Sequence, residues 1–234
     1  MTPPTPNNVP GYRWEFSKVK DAGAVGAQID RFTVVGRLGQ GGMGTVLRVS
    51  DESGRQLALK LMGPAPSPQA RVRFEREGQI TAALKHVGIV GIHGAGSVGE
   101  HPYLVYELVE GKDLEESLPE LTREERLDVI GQVASALGYA YDSDGVHRDV
   151  KLANVLIGED GRVLVADFGL AQAAGLERLT RTGAVLGTPT SMAPEQISGK
   201  SEDFGPQTDV WALGVILYTA LTGELPFAAR GVAQ

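Results

Sequence analysis

Two short stretches concentrate the side chains able to do chemistry, His147-Arg-Asp-Val-Lys-Leu-Ala-Asn154 and Asp167-Phe-Gly169. Asp149 lies a few residues before Asn154, where a carboxylate can accept a proton from an incoming hydroxyl. Lys151, between them, can neutralise a phosphoryl group in transfer. Asn154 and Asp167 offer an amide oxygen and a carboxylate, ligands that suit a hard cation such as Mg2+. Asp160-Gly161 reads as a turn between strands at Val155 to Ile157 and Val163 to Val165. If that hairpin pairs Leu156 with Val165, Asn154 and Asp167 face each other at its open end, on strands roughly 5 Å apart. Taken singly, each residue also reads as a solvated loop charge. The complete set, in this order, is what points to phosphoryl transfer.

A second group lies upstream. Gly39-Gln-Gly41-Gly-Met-Gly44-Thr-Val46 has the Gly-x-Gly-x-x-Gly-x-Val spacing. Alone it fits a flexible hairpin turn, or the glycine loop of a dinucleotide fold, where a helix follows. Here Thr45, Val46, Leu47 and Val49 follow, and these favour a strand. A strand–turn–strand flap can lay backbone N–H groups over phosphates. One strand later, Leu57-Ala-Leu-Lys60 places a lysine able to reach back under the flap. A buried ammonium needs a paired carboxylate, and Glu77 on the following helix could supply it. Glu77 could equally pair with Arg73 on the helix surface.

The elements that must carry these groups fall into two halves. Residues 1 to about 27, with four prolines in the first ten, read as a tail. Strands follow at Phe32 to Val35, Thr45 to Val49, Gln56 to Lys60, Gly91 to Ser97 and Tyr103 to Leu108. Ser67-Pro68 opens a helix that runs to about Lys85. The second half is helical. Thr122-Arg-Glu-Glu125 fits a capping box, and Leu127, Ile130, Ala134, Leu137 and Tyr141 form one apolar stripe. This order predicts an α+β chain of two lobes with a cleft between them.

Composition narrows the function class. The 234 residues carry a net charge of −7 and no cysteine. An acidic surface argues against nucleic-acid binding, and disulfides or thiolate zinc sites are excluded. The longest apolar run, Val210 to Leu221, is too short to span a bilayer, so the chain is expected to lack a membrane segment. No signal peptide opens it. A cytoplasmic location, or a longer membrane-anchored parent, fits these features.

From about Arg31 to Phe227 the chain resembles the eukaryotic-like Ser/Thr protein kinases of bacteria, through the ordered motifs quoted above together with Met192-Ala-Pro-Glu-Gln196. The resemblance implies a bilobal kinase fold, with a small antiparallel-sheet lobe at residues 28–108 and part of a helical lobe at 109–234. It implies ATP and Mg2+, with Mn2+ as a substitute, and proteins bearing Ser or Thr as substrates. Lys60 would bind the α/β-phosphates and pair with Glu77. Asp149 would be the catalytic base assisted by Lys151, and Asn154 and Asp167 the metal ligands. Gly39, Gly41 and Gly44 would cover the phosphates, and Leu38, Val46, Ala58 and Leu156 would sandwich the adenine. Tyr106 falls at the gatekeeper position, Glu107 and Val109 offer hinge backbone, and Asp113 falls at the ribose contact. Thr180 and Thr182 lie in the interval of the loop phosphosite, where Arg148 would hold a phosphate, and self-association would permit phosphorylation in trans. Thr188 resembles the family's substrate-docking threonine.

One departure is large. The family's helical lobe normally continues well beyond the helix at Asp209 to Leu221, and this chain stops at Gln234. Its last helices are expected to be absent, leaving part of the core uncovered and Glu195 without its usual arginine. The sequence would then be a piece of a longer protein or naturally short. A nucleotide-binding scaffold without turnover is the competing reading, and a dinucleotide-binding oxidoreductase a distant third.

Overall fold

Strands with alternating apolar residues build the first half into one antiparallel sheet. The computed structural model describes residues 23–41, 44–63, 78, 81–143, 145–168, 191–198 and 204–227. Strands β1 (Gln28–Ile29), β2 (Phe32–Gly41), β3 (Gly44–Ser50), β4 (Gln56–Met62), β5 (Ile92–Val98) and β6 (His101–Glu107) form a six-stranded sheet in the order β1-β2-β3-β4-β6-β5. Residues 23–27, expected in the tail, hydrogen-bond to β2 through Gly26 and Ala27. Of the helix expected from Ser67 to about Lys85, Gly78 and residues 81–85 are described; Gly78, Thr81 and Ala82 are helical, and the chain turns at Ala83.

Period-two alternation decides which side chains reach the cleft. On β4, Leu57, Leu59 and Leu61 join Val34, Leu47, Val49, Tyr103 and Val105 in one core. Ala58 and Met62 point the other way, into a second cluster with Leu104 and Tyr106 of β6. Lys60 lies between them in the same phase, so the strand that builds the core also aims the lysine at the cleft.

The second half begins with β7 (Gly111–Asp113), α1 (Leu114–Ser117) and a single 3-10 turn. Helix α2 (Arg123–Asp142) starts at the expected capping box: Thr122 Oγ1 accepts from the Glu125 N–H, and Glu125 Oε2 accepts from the Thr122 N–H at 2.7 Å. The expected apolar stripe is rotated. Val129, Ile130, Val133, Ala136, Leu137 and Ala140 are buried, whereas Leu127 is exposed. Contacts with α4 (Pro206–Thr222) and β9 (Val163–Val165) select that face. Arg126 ties the start of α2 to the end of α4, donating to the carbonyls of Leu118, Leu121 and Ala220. The short helix α3 (Pro194–Ser198) precedes α4.

Strand β8 (Val155–Gly158) pairs with β7 and β9 in a three-stranded sheet. Its register differs by one residue from the expected one: Leu156 pairs with Leu164, and Val155 with Val165. A two-residue turn at Asp160-Gly161 would have paired Glu159 with Arg162. Instead the Gly158 N–H donates to the Arg162 carbonyl, so three residues make the loop, with Gly161 at φ +81°. Asn154 therefore stands opposite Ala166, whose N–H donates to its carbonyl at 2.8 Å, and Asp167 lies one residue beyond.

One face of α4 is uncovered among the described residues. Val210, Trp211, Tyr218 and Leu221 are exposed, and Trp211 stacks on exposed Phe227 with ring centroids 5.4 Å apart. The opposite face carries Asp209, wholly buried. Its carboxylate accepts from the backbone N–H groups of His147 (2.7 Å) and Arg148 (2.6 Å). Burial pushes this carboxyl up from the usual carboxylate range, and the neighbouring His147 together with the N–H groups of His147 and Arg148 and the Tyr141 hydroxyl act in the opposite direction. Arg148 takes φ +67°, a left-handed conformation that a side chain other than glycine adopts at some strain. Asp209→Asn keeps the volume but turns an NH2 group toward one of the two donors. The expected loss is about 2 kcal/mol of unfolding free energy, the usual cost of an unsatisfied buried donor. Urea denaturation checks this, and an unchanged midpoint would show that the anchor contributes nothing.

Candidate active site

The loop held by Asp209 carries three of the chemically competent side chains. After the left-handed Arg148, the Asp149 N–H donates to His147 Nδ1 at 3.2 Å, while His147 Nε2 lies 2.7 Å from the Ala166 carbonyl. That pattern assigns the proton to Nε2. The buried His147 ring packs against Phe168 at 4.6 Å, so one imidazole joins the loop at Asp149 to the segment at Asp167. A 3-10 turn over Leu152–Asn154 brings Asn154 back to Asp149. Asn154 Nδ2 donates to the Asp149 carbonyl (2.7 Å) and to its Oδ2 (3.2 Å), and Lys151 Nζ donates to the same Oδ2 at 2.7 Å.

Asp167 stands across from this loop with φ +65°. Its Oδ2 accepts from Lys60 Nζ at 2.5 Å, an ion pair in which the lysine is buried. The Tyr106 hydroxyl faces its Oδ1 at 3.5 Å. Burial, then the neighbouring Asp167 carboxylate, push the Tyr106 phenol well above its ordinary value, so it stays protonated as a donor. The pairing of Lys60 with Asp167 was not legible in the sequence, because 107 positions separate the two and no local pattern links them. Glu77, the carboxylate expected to pair with Lys60, lies outside the described residues.

The remaining cleft residues come from both halves. Val46 pairs with Lys60 on one side and with Gly39 on the other. Gly41 pairs with Gly44, and the two residues between them are outside the described set. Gly44 takes φ +142°, and a Cβ there would collide with the Leu61 carbonyl, so glycine is required for the flap to lie against β4. Ala58, Val109 and Leu156, drawn from β4, the linker and β8, gather partly buried around Tyr106 and Leu164. Leu38 is exposed at the rim. The Glu107 N–H donates to the Gly91 carbonyl, and its side chain accepts from the Gly91 N–H. Asp113 caps α1, its Oδ1 accepting from the Glu116 N–H at 2.9 Å. Thr180, Thr182 and Thr188 lie outside the described residues, as does Gly169. Glu195, expected to lack its arginine, accepts from Thr208 Oγ1 at 2.7 Å. Neighbouring Gln196 donates to the Arg148 carbonyl, joining α3 to the same loop.

Asn154 and Asp167 suit a divalent cation. Both hydrogens of the Asn154 amide are directed at Asp149, which leaves Oδ1 as its ligating atom. Among the described residues no three His, Asp or Glu side chains gather at one point. A cation here would rest on Asp167, Asn154 and oxygens brought by its ligand, the usual way Mg2+ is held beside phosphates. The carboxylates of Asp149 and Asp167, the ammonium groups of Lys60 and Lys151 and the Asn154 amide are thus linked in one hydrogen-bonded region.

Comparison with known proteins places this arrangement. The protein kinase domain family matches residues 32–234. The serine/threonine-protein kinase PknJ of Mycobacterium tuberculosis is 41% identical over 201 residues, covering 82% of this chain and 34% of that protein. PknL of the same species is 38% identical over 203 residues, covering 84% of this chain and 50% of that protein. The chain thus spans about a third to a half of the length of these relatives. Among solved structures, a single-substitution mutant of the M. tuberculosis PknI kinase domain superposes with a TM-score of 0.73 at 30% identity, over 87% of this chain and 78% of that one. With a strand-built lobe, a helical lobe and the ordered cluster between them, the chain has the bilobal kinase fold and belongs to the protein kinase domain family.

Proposed function

We propose that this chain is the catalytic part of a bacterial Ser/Thr protein kinase, transferring the γ-phosphoryl group of ATP to protein hydroxyls. The observation that carries this reading is the cluster of Asp149, Lys151 and Asn154 opposite the Lys60–Asp167 pair. Lys151 in Asp-x-Lys-x-x-Asn and the names of the relatives support serine and threonine as acceptors.

The roles follow from charge and geometry. Asp149 takes the proton from the acceptor hydroxyl as its oxygen attacks the γ-phosphorus. The bond from that phosphorus to the β–γ bridging oxygen breaks, and ADP leaves. Lys151, now beside Asp149, balances charge on the group in transfer. Lys60 exchanges its bond to Asp167 for the α/β-phosphates. Asp167 and Asn154 Oδ1 hold the metal, whose chemistry is to neutralise phosphate charge. Mg2+ is the proposed ion, and Mn2+ suits the same oxygen set. Ala58, Val46, Leu38 and Leu156 enclose the base, and Glu107, Val109 and Asp113 are its linker and ribose contacts. Among the described residues no helix is long and apolar enough to cross a membrane, and a cytoplasmic site of action fits a substrate such as ATP. Thr188 is assigned to docking the acceptor.

Two outcomes test these roles. Asp149→Asn should lower transfer to a Ser/Thr protein substrate by about 100-fold or more, the range of a lost general base. Nucleotide affinity by calorimetry should stay nearly the same. Normal turnover in the variant would remove Asp149 from the mechanism, and absent transfer with intact nucleotide binding in the parent would favour a scaffold. Regulation through Thr180 and Thr182 rests on their place between Asp167 and Ala193-Pro-Glu195. A phosphate there would add about −1.5 to −2 charges, which an arginine such as Arg148 could pair with. Mass spectrometry after incubation with Mg-ATP should find one or both modified, at a rate rising with protein concentration if copies modify each other. Unmodified threonines in an active preparation would contradict this switch.

A further inference from the structure

We infer that the Tyr106 hydroxyl is a positioning group for the metal-binding carboxylate, an inference that rests on the assignment of Asp167 as a metal ligand. Tyr106 is buried in a cluster with Met62, Val90, Leu104 and Leu164, all apolar. A buried phenol normally directs its O–H to a partner. Among the described residues, the polar atom facing this one is Asp167 Oδ1, at 3.5 Å, the outer edge of hydrogen-bond distance.

The need for such a group follows from what else holds Asp167. Its backbone is in the left-handed region, and its other oxygen is held by Lys60. In the proposed reaction Lys60 moves to the phosphates, so the carboxylate loses that anchor when it has to present oxygens to the ion. The Tyr106 hydroxyl sits on a rigid, fully packed ring in β6 and does not move with the nucleotide. It remains on Oδ1 as a donor, occupying one lone pair and leaving the others for coordination. Outer-shell donors of this kind orient a ligating carboxylate and tune its affinity for the ion. Tyr106 touches neither nucleotide nor acceptor in this account and is not a catalytic residue.

Tyr106→Phe removes the oxygen and keeps the ring. The test titrates the full chain and the variant with a non-hydrolysable ATP analogue by calorimetry, in EDTA and at a series of Mg2+ concentrations. The Mg2+ concentration for half-maximal enhancement of nucleotide affinity should rise about threefold to tenfold, at or below the low end of what losing an outer-shell partner generally costs. Affinity in EDTA should not change. A loss of equal size with and without Mg2+ would mean that Tyr106 merely packs the cleft, and an unchanged Mg2+ dependence would mean that the hydroxyl does nothing for Asp167. Either result overturns the inference. If the parent itself shows no Mg2+ effect, the assignment of Asp167 fails first, and the role of Tyr106 falls with it.

Discussion

Asp209 carries a carboxylate from α4 into the interior, where it accepts the backbone N–H groups of His147 and Arg148. Burying a charge is costly, and two charge-assisted hydrogen bonds are what offset it. The exchange has a geometric result. With both N–H groups pointing at one carboxylate, Arg148 is held at φ +67°, and the chain turns there before Asp149, whose carboxylate Lys151 and Asn154 then hold. His147 transmits the position further, through Ala166 and Phe168, to the segment bearing Asp167. Gln196 reaches the Arg148 carbonyl from α3, so three separate elements converge on one loop. Shifting Asp209 would disturb every one of these contacts.

The cleft is also a place where local preference yields to function. Arg148 and Asp167, both non-glycine residues in the left-handed region, flank the β8–β9 hairpin. Lys60 and Asp167 form an ion pair largely out of water, and such pairs contribute little net stability because desolvation offsets attraction. Their use lies elsewhere. Each partner is held in place, and each has a stronger partner in the proposed complex, phosphate for the lysine and a cation for the carboxylate.

Much of this was readable from residue types. The strands carrying Val46 and Lys60, the capping box at Thr122 and the order of Asp149, Asn154 and Asp167 are local patterns, and local patterns survive in one dimension. What failed needed finer or longer-range information. The β8–β9 register was misplaced by one residue because Asp160-Gly161 suits a two-residue turn, whereas hydrogen bonding from Gly158 to Arg162 makes a three-residue loop. On α2, the stripe through Leu127 is as regular as the buried one through Val133, and only packing against α4 and β9 separates them. The bonds from Asp209 to His147 and Arg148, and from Lys60 and Tyr106 to Asp167, join positions 61 or more apart. No spacing rule anticipates them.

The central claim is that these constraints hold Asp149, Asn154 and Asp167 ready for a metal-bound nucleotide. A crystal structure of the chain with Mg2+ and a non-hydrolysable ATP analogue tests it most directly. The expected result is an ion about 2.1 Å from an Asp167 carboxylate oxygen and from Asn154 Oδ1, the usual Mg2+–oxygen distance. Lys60 should have turned from Asp167 to the phosphates, with Asp209 still bonded to His147 and Arg148. A nucleotide bound outside the cleft, or an ion that touches neither Asn154 nor Asp167, would contradict it.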